Sequence, residues 1–301
     1  MSATNLLDLK TLTAENVASL FSLADRLSAE KPIDRERFFR HRHGLTAPLI
    51  FLEPSTRTRL SFESACGREG VTAIVFDGGA GTSLEKGETA EDTILNIAAM
   101  LPAFLVIRSG DELDFRELAK KVKVPIINAG WGRVGHPTQA LLDAYAIHRL
   151  RGPLGQQRIL LIGDVRHSRV AMSHLELAKN LGYQIALCGP DSFLPASAEV
   201  QIFRNLREGL QWATVAMALR VQVERHEAGT DLADYHQNWG LNKDTLKDFG
   251  PHGLIMHPGP VNWGVELAAE ISTDRRCAIL DQVRGGVLVR QALIRQILEA
   301  L

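Results

Sequence analysis

The stretch Glu53-Pro54-Ser55-Thr56-Arg57-Thr58-Arg59 packs hydroxyl and guanidinium groups closely together. It follows an apolar run and precedes Leu60, Phe62 and Ala65, which supply one buried face of a helix beginning near Ser55. Ser and Thr suit a helix N-cap. The free N–H groups and positive dipole end of a helix attract an anion there. Hydroxyls of Ser55, Thr56 and Thr58 add donors, and Arg57 adds a fork that matches phosphate oxygens. A bare Ser-Thr-Arg is better explained as a capped helix with solvated arginines. The full pattern behind a strand reverses that preference.

Other motifs carry compatible chemistry. His136-Pro137-Thr138-Gln139 follows Gly130 and Gly132, which permit close backbone approach. Alone, it also fits a His capping a helix with Pro at its first position. Arg169 and Arg220 fall at separate strand ends, with Gln222 two residues on; each guanidinium can grip a carboxylate bidentately. Either arginine in isolation reads as a surface ion pair. Ser83 and Lys86 sit in a polar, Gly-rich stretch that reads as a mobile surface loop. No GxGxxG follows a strand and no GxxxxGK[ST] occurs, so the usual dinucleotide and nucleoside triphosphate signals are missing. The pattern suits a small phosphate compound.

The elements that must position these groups alternate. Strands are predicted over 47–53, 71–76, 104–108, 125–128, 158–163, 184–188, 214–219 and 254–256, with helical patterns such as 13–28, 89–100 and 170–181 between them. Apolar strands alternating with helices imply parallel sheets covered on both faces. The fold class is therefore α/β, as two doubly wound parallel-sheet domains. A helix over 139–150 followed by Arg151-Gly152-Pro153 marks the boundary. The expected domains are 1–150, joined by a C-terminal helix 286–301, and 151–285. In such sheets ligands sit beyond the carboxyl ends of the strands. Those ends carry Ser-Thr-Arg-Thr-Arg, Arg108, His136–Gln139, Asp164–Arg169, Arg220–Gln222 and His257-Pro258-Gly259-Pro260.

Composition narrows the class. The 301 residues are 45% hydrophobic and 23% charged, with 34 Lys+Arg against 35 Asp+Glu. A net charge of -1 gives no global field for nucleic acid or an anionic membrane. Cys66, Cys188 and Cys277 lie far apart in no CxxC pair, which argues against a disulfide framework or zinc ribbon and fits a reducing cytosol. The N-terminus lacks the regions of a signal peptide, and no apolar run approaches the roughly 20 residues that span a bilayer. The expectation is a cytoplasmic protein with no metal, no cofactor, no nucleic acid partner and no membrane.

EPSTRTRLSFE (53–63) resembles the carbamoyl phosphate signature of the aspartate and ornithine carbamoyltransferase superfamily, and GHPTQALLDAY (135–145) resembles its second signature. The similarity runs along nearly the whole chain, through LLDLKTLT, SLEKGET, GDVRHSRV, LRVQVERH and MHPGPVNWGVEL, and points to the aspartate branch. The resemblance implies carbamoyl transfer from carbamoyl phosphate to L-aspartate in a cleft between the domains. The products would be N-carbamoyl-L-aspartate and phosphate, an early step of de novo pyrimidine (UMP) biosynthesis. It implies that Ser55, Thr56, Arg57 and Thr58 hold the phosphate, that His136, Arg108 and Thr58 surround the carbamoyl oxygen, and that Gln139 holds the carbamoyl NH2. Arg169 would take the α-carboxylate and Arg220 the β-carboxylate, with Gln222 assisting and the Gly259 and Pro260 carbonyls as acceptors. Ser83 and Lys86 would come from a neighbouring subunit, which implies a homotrimer. Glu53, Arg169 and Arg225 would bridge the domains in a closed state, and 226–243 would be the loop that moves with closure. Related enzymes also occur with regulatory chains or dihydroorotase, so both stay open as partners.

Two departures stand out. Trp131 occupies a position where the family usually has an acid, and Trp263 one where it usually has Arg. An ion pair replaced by apolar packing would explain both, since such a replacement is often neutral or stabilising. Two rival readings remain: a sister enzyme using ornithine or an acylated ornithine, against which Arg220 and Gln222 speak, and an inactive anion-binding scaffold.

Overall fold

Residues 46–51, 105–109 and 126–131 are almost wholly buried, which is why they read as unbroken apolar runs rather than alternating ones. The computed structural model describes residues 5–30, 42, 44–79, 81–196, 199–222 and 232–301. It divides into two compact units, 1–142 with 284–301, and 143–283.

The first unit holds β1 (Thr46–Phe51), β2 (Thr72–Asp77), β3 (Leu105–Ser109) and β4 (Ile126–Trp131) in the order β2-β1-β3-β4, all parallel. Among the described residues its helices are α1 (Ala14–Ala29), α2 (Thr56–Arg68), α3 (Ala90–Ala98) and α4 (Phe115–Lys121). Thr13 and Asn16 close a reciprocal capping box at the start of α1. Ile50, Ile94, Leu105, Ile107, Phe115 and Trp131 form one core cluster. The chain leaves β1 toward β2 on one side and returns to β3 on the other, so the sheet's switch point lies between β1 and β3.

The second unit holds β5 (Arg158–Ile162), β6 (Gln184–Cys188), β7 (Gln201–Phe203), β8 (Val215–Ala218) and β9 (Leu254–Met256), ordered β7-β6-β5-β8-β9 and all parallel. Its switch point lies between β5 and β8. The strand β7 was not predicted: it is short, lies at the edge and has no fully buried residue. The helices are α6 (Arg169–Leu181), α7 (Leu206–Trp212) and α8 (Leu232–Trp239), while α5 (Pro137–Arg151) and α9 (Ile279–Ala300) each contribute residues to both units.

The helix α8 corrects the expectation of a loop over 226–243. Leu232, Tyr235 and Trp239 recur at helical spacing and pack with Phe193 and Val221. Residues 226–231 of that stretch, and Arg225 of the expected bridge with Glu53 and Arg169, lie outside the described residues.

Candidate functional site

In the first unit, the chain leaves β1 and enters α2 within a few residues. Ser55 is the N-cap of α2, in extended backbone, and its side chain makes no capping bond. The first turn contains Thr56, Arg57 and Thr58 and no acidic residue, so the amino end keeps its positive character. Thr58 is buried, whereas Arg57 is exposed. Desolvation by neighbouring atoms lowers the Arg57 pKa from the usual arginine value although the side chain reaches solvent; a guanidinium stays cationic at neutral pH. The two arginines of the motif separate here. Arg59 is engaged, with Nη1 2.6 Å from Asp77 and Nε 3.5 Å from Glu63. Among the described residues Arg57 forms no ion pair.

Across the switch point, Phe51 of β1 is in register with Arg108 of β3. The Arg108 carbonyl accepts from the Leu52 N–H at 2.9 Å. Its guanidinium lies 3.7 Å from the Glu53 carboxylate and donates to the Ala129 carbonyl at 3.4 Å. The side chain is thus held between the ends of β1 and β4. His136 precedes α5, and its carbonyl accepts from Gln139 and Ala140 N–H groups at 3.0 and 3.3 Å. His136, Thr138 and Gln139 are all buried. Gly132 is required where β4 turns toward this motif: it has φ 38°, and a Cβ there would meet the Asp111 carboxylate at 1.8 Å.

Ser83 and Lys86 are the ends of a single 3-10 turn, closed by Gly87 in left-handed backbone. Glu85 accepts from the Gly81 N–H at 2.8 Å and Asn96 donates to Glu88 at 2.9 Å, which explains the order. Among the described residues no hydrogen bond joins Ser83 or Lys86 to Arg57, Arg108 or His136.

In the second unit, the ends of β5 and β8 are joined by Asp164. This fully buried carboxylate takes the His167 backbone N–H at 3.3 Å and its ring Nδ1 at 2.8 Å on one oxygen, and the Gln222 N–H at 3.4 Å on the other. Gln222 Nε2 donates to the His167 carbonyl at 2.8 Å. The link holds Gln222 against the turn that leads to Arg169, the first residue of α6. Ser168 caps that helix by accepting from the Ala171 N–H at 3.2 Å. Arg169, Arg220 and Gln222 are all half-buried. Beyond β9, the His257 N–H donates to Gln282 at 3.0 Å, and the Gly259 N–H donates to His257 Nδ1 at 2.7 Å, which leaves the ring proton on Nε2. Gly259 and Pro260 are joined by a cis peptide bond. In the sequence Asp164 and Glu266 both stand only within longer motifs, and neither carries a pattern that separates a buried carboxylate from a solvated one.

Trp131 is buried, stacked on Phe115 at 4.8 Å with the Arg116 guanidinium 5.1 Å from its ring. Apolar packing accounts for Trp131, whereas Trp263 remains 47% exposed. Among the described residues no cluster of His, Cys, Asp or Glu could hold a metal ion, and no helix is long and apolar enough to cross a membrane.

Two doubly wound parallel sheets, each followed at its switch point by guanidinium-bearing segments, define the class of α/β protein. A family model described as aspartate/ornithine carbamoyltransferase, carbamoyl-P binding domain, matches residues 4–149. A second, the Asp/Orn binding domain of the same family, matches residues 155–297. The chain belongs to the aspartate/ornithine carbamoyltransferase family. It is 38% identical to the aspartate carbamoyltransferase catalytic subunit of Flavobacterium psychrophilum, covering 98% of this chain and 96% of the relative. It is 40% identical to the protein of that name from Rhizobium johnstonii, covering 98% and 93%. Among solved structures it resembles aspartate transcarbamoylase from Trypanosoma cruzi in complex with carbamoyl aspartate and phosphate, with a TM-score of 0.84, 27% identity, and 97% and 95% of the two chains covered. The same enzyme in complex with N-(phosphonacetyl)-L-aspartic acid matches with a TM-score of 0.84 and 27% identity over 97% of this chain and 94% of that one.

Proposed function

We propose that the chain transfers the carbamoyl group of carbamoyl phosphate to L-aspartate, giving N-carbamoyl-L-aspartate and phosphate, an early step of pyrimidine synthesis. The observation that carries this reading is the division of labour between the two switch points. One has a helix amino end free of acids beside Arg57 and Arg108, suited to a phosphate. The other has Arg169 and Arg220, suited to a dicarboxylate. The full-length relatives of the aspartate branch support the choice of aspartate over ornithine.

In this reading Ser55, Thr56, Arg57 and Thr58 hold the phosphate. His136, Arg108 and Thr58 meet the carbamoyl oxygen, where charge develops as the amine attacks. Gln139 holds the carbamoyl NH2. Arg169 and Arg220 take the two carboxylates, Gln222 assists through its remaining amide groups, and the Gly259 and Pro260 carbonyls accept from the amine or carbamoyl NH2. The departing phosphate accepts the amine proton, so no side-chain base or covalent nucleophile is needed. Ser83 and Lys86 join the site of a neighbouring subunit, each chain lending its turn to the next in a closed cytoplasmic homotrimer.

The test is production of carbamoyl aspartate by the pure protein, with ornithine as competing acceptor. A mimic joining a phosphonate to aspartate should bind tightly to the wild type and lose affinity in both Arg57→Ala and Arg220→Ala. Retained affinity in either variant removes that assignment.

A further inference from the structure

Glu266 is 1% exposed, and its carboxylate collects donors from two strand ends. Oε1 accepts from the Val221 N–H at 2.7 Å and from Asn262 Nδ2 at 2.8 Å, and Oε2 accepts from the Asn262 N–H at 2.7 Å. Val221 lies between Arg220 and Gln222 after β8, and Asn262 lies two residues beyond Pro260 after β9. On its other side, the Glu266 carbonyl accepts from the Leu241 N–H at 2.9 Å, which anchors the segment to the chain following α8.

Among the described residues no Lys or Arg forms an ion pair with this carboxylate; the nearest basic group is His257 Nε2 at 3.9 Å. Burial raises its pKa, and the bonds from Val221 and Asn262 work against that rise. A carboxylate buried without a cation is costly. Its presence between Val265 and Leu267 therefore asks for a task that an apolar side chain cannot perform. Accepting N–H groups from two loops at once is such a task.

We propose that Glu266 is a positioning residue for the second substrate, fixing the Arg220–Gln222 segment against the Gly259–Asn262 segment through one carboxylate. The inference rests on the reading that these segments take L-aspartate. Glu266→Gln keeps the size but presents an NH2 group where N–H groups must be accepted, and Glu266→Asp keeps the charge with a shorter reach.

The test is steady-state kinetics on the full-length protein, varying each substrate in turn. The variants are Glu266→Gln, Glu266→Asp and Asn262→Ala, with Arg220→Ala as the reference for the aspartate half-site. Glu266→Gln should raise KM for aspartate about tenfold or more while KM for carbamoyl phosphate stays within about twofold. Glu266→Asp should recover part of the loss, and Asn262→Ala should shift aspartate KM in the same direction by less. If Glu266→Gln does not fold, Asn262→Ala decides the question on the same readout. Folded variants with unchanged aspartate KM, or with both KM values rising in parallel alongside a lower melting temperature, would overturn the proposal. A wild type that makes no carbamoyl aspartate, or an Arg220→Ala variant with unchanged aspartate KM, would instead remove the functional reading on which it rests.

Discussion

Arg295 donates Nε and Nη2 to the two carboxylate oxygens of the fully buried Glu69, at 2.9 and 2.8 Å. This fork pins α9 to the end of α2, and Gln291 and Arg42 donate to the same carboxylate. Burial opposes the Arg295 charge, but the bonds to Glu69 and Glu30 outweigh it and raise its pKa. Removing one partner strands the other charge, at a cost of about 3–5 kcal/mol. Glu69→Ala should therefore melt far below the wild type. Arg207→Ala, whose pair with Asp248 leaves the arginine 70% exposed, should lose about 0–1 kcal/mol. Calorimetry of the two variants checks this; equal melting temperatures would contradict it.

The unequal surroundings of Arg57 and Arg59 make a kinetic prediction. Arg59 is engaged with Asp77 and Glu63, whereas Arg57 forms no ion pair among the described residues. Arg57→Ala should weaken the carbamoyl phosphate step by about 1.5–3 kcal/mol, the worth of a charged hydrogen bond. Arg59→Ala should change KM and kcat by no more than a few fold. Carbamoyl phosphate saturation curves for both variants decide the point, and a larger loss in Arg59→Ala would reverse the assignment.

His136 is a candidate oxyanion donor held by its burial and by the bonds its carbonyl makes at the start of α5. Losing one such donor costs about 2.7–4 kcal/mol of barrier. His136→Ala should lower kcat by about 10²–10³ with smaller changes in KM. A kcat within a few fold of wild type would show that the ring does not meet the developing charge.

Much of this is legible in the sequence. Parallel strands buried on both faces announce themselves as apolar runs, and the groups that follow each run mark the strand ends. The β7 edge strand was not legible, because three residues give no periodicity to read. Helix α8 was hidden by a polar composition, with Leu232, Tyr235 and Trp239 too sparse to stand out until Phe193 and Val221 are seen against them. The division between Arg57 and Arg59 depends on Asp77, at the end of the neighbouring strand. Glu266 looks like any surface glutamate until two loops are found donating to it. What escapes the sequence in each case is a partner brought close by the fold.

The two tryptophans should differ in energetic weight. Trp131 belongs to the core cluster and stacks on Phe115, so Trp131→Ala should cost about 3–5 kcal/mol. Trp263 is 47% exposed, and Trp263→Ala should stay within about 0.5 kcal/mol of wild type. Urea titrations of both variants measure the difference. A large loss at Trp263 would show that its exposed face is covered in the assembled protein.

Thiol reactivity gives a pH-dependent test of burial. Desolvation pushes Cys66 up to about 12, with the Glu63 and Glu69 charges adding to it, and desolvation alone pushes Cys188 up to about 12. Cys277 is only half-buried, and burial raises it while a backbone bond from Ile279 acts the other way. The thiolate is the reactive form, so a raised pKa means less reaction at a given pH and a rate that grows as pH rises. At pH about 8, a thiol with a pKa near 12 is ionised to only about one part in ten thousand. With iodoacetamide and mass spectrometry, Cys277 should be labelled first, and faster at higher pH. Cys66 and Cys188 should label only as urea unfolds the chain. Labelling of Cys66 in the folded protein at the rate of Cys277 would mean that α2 opens without global unfolding.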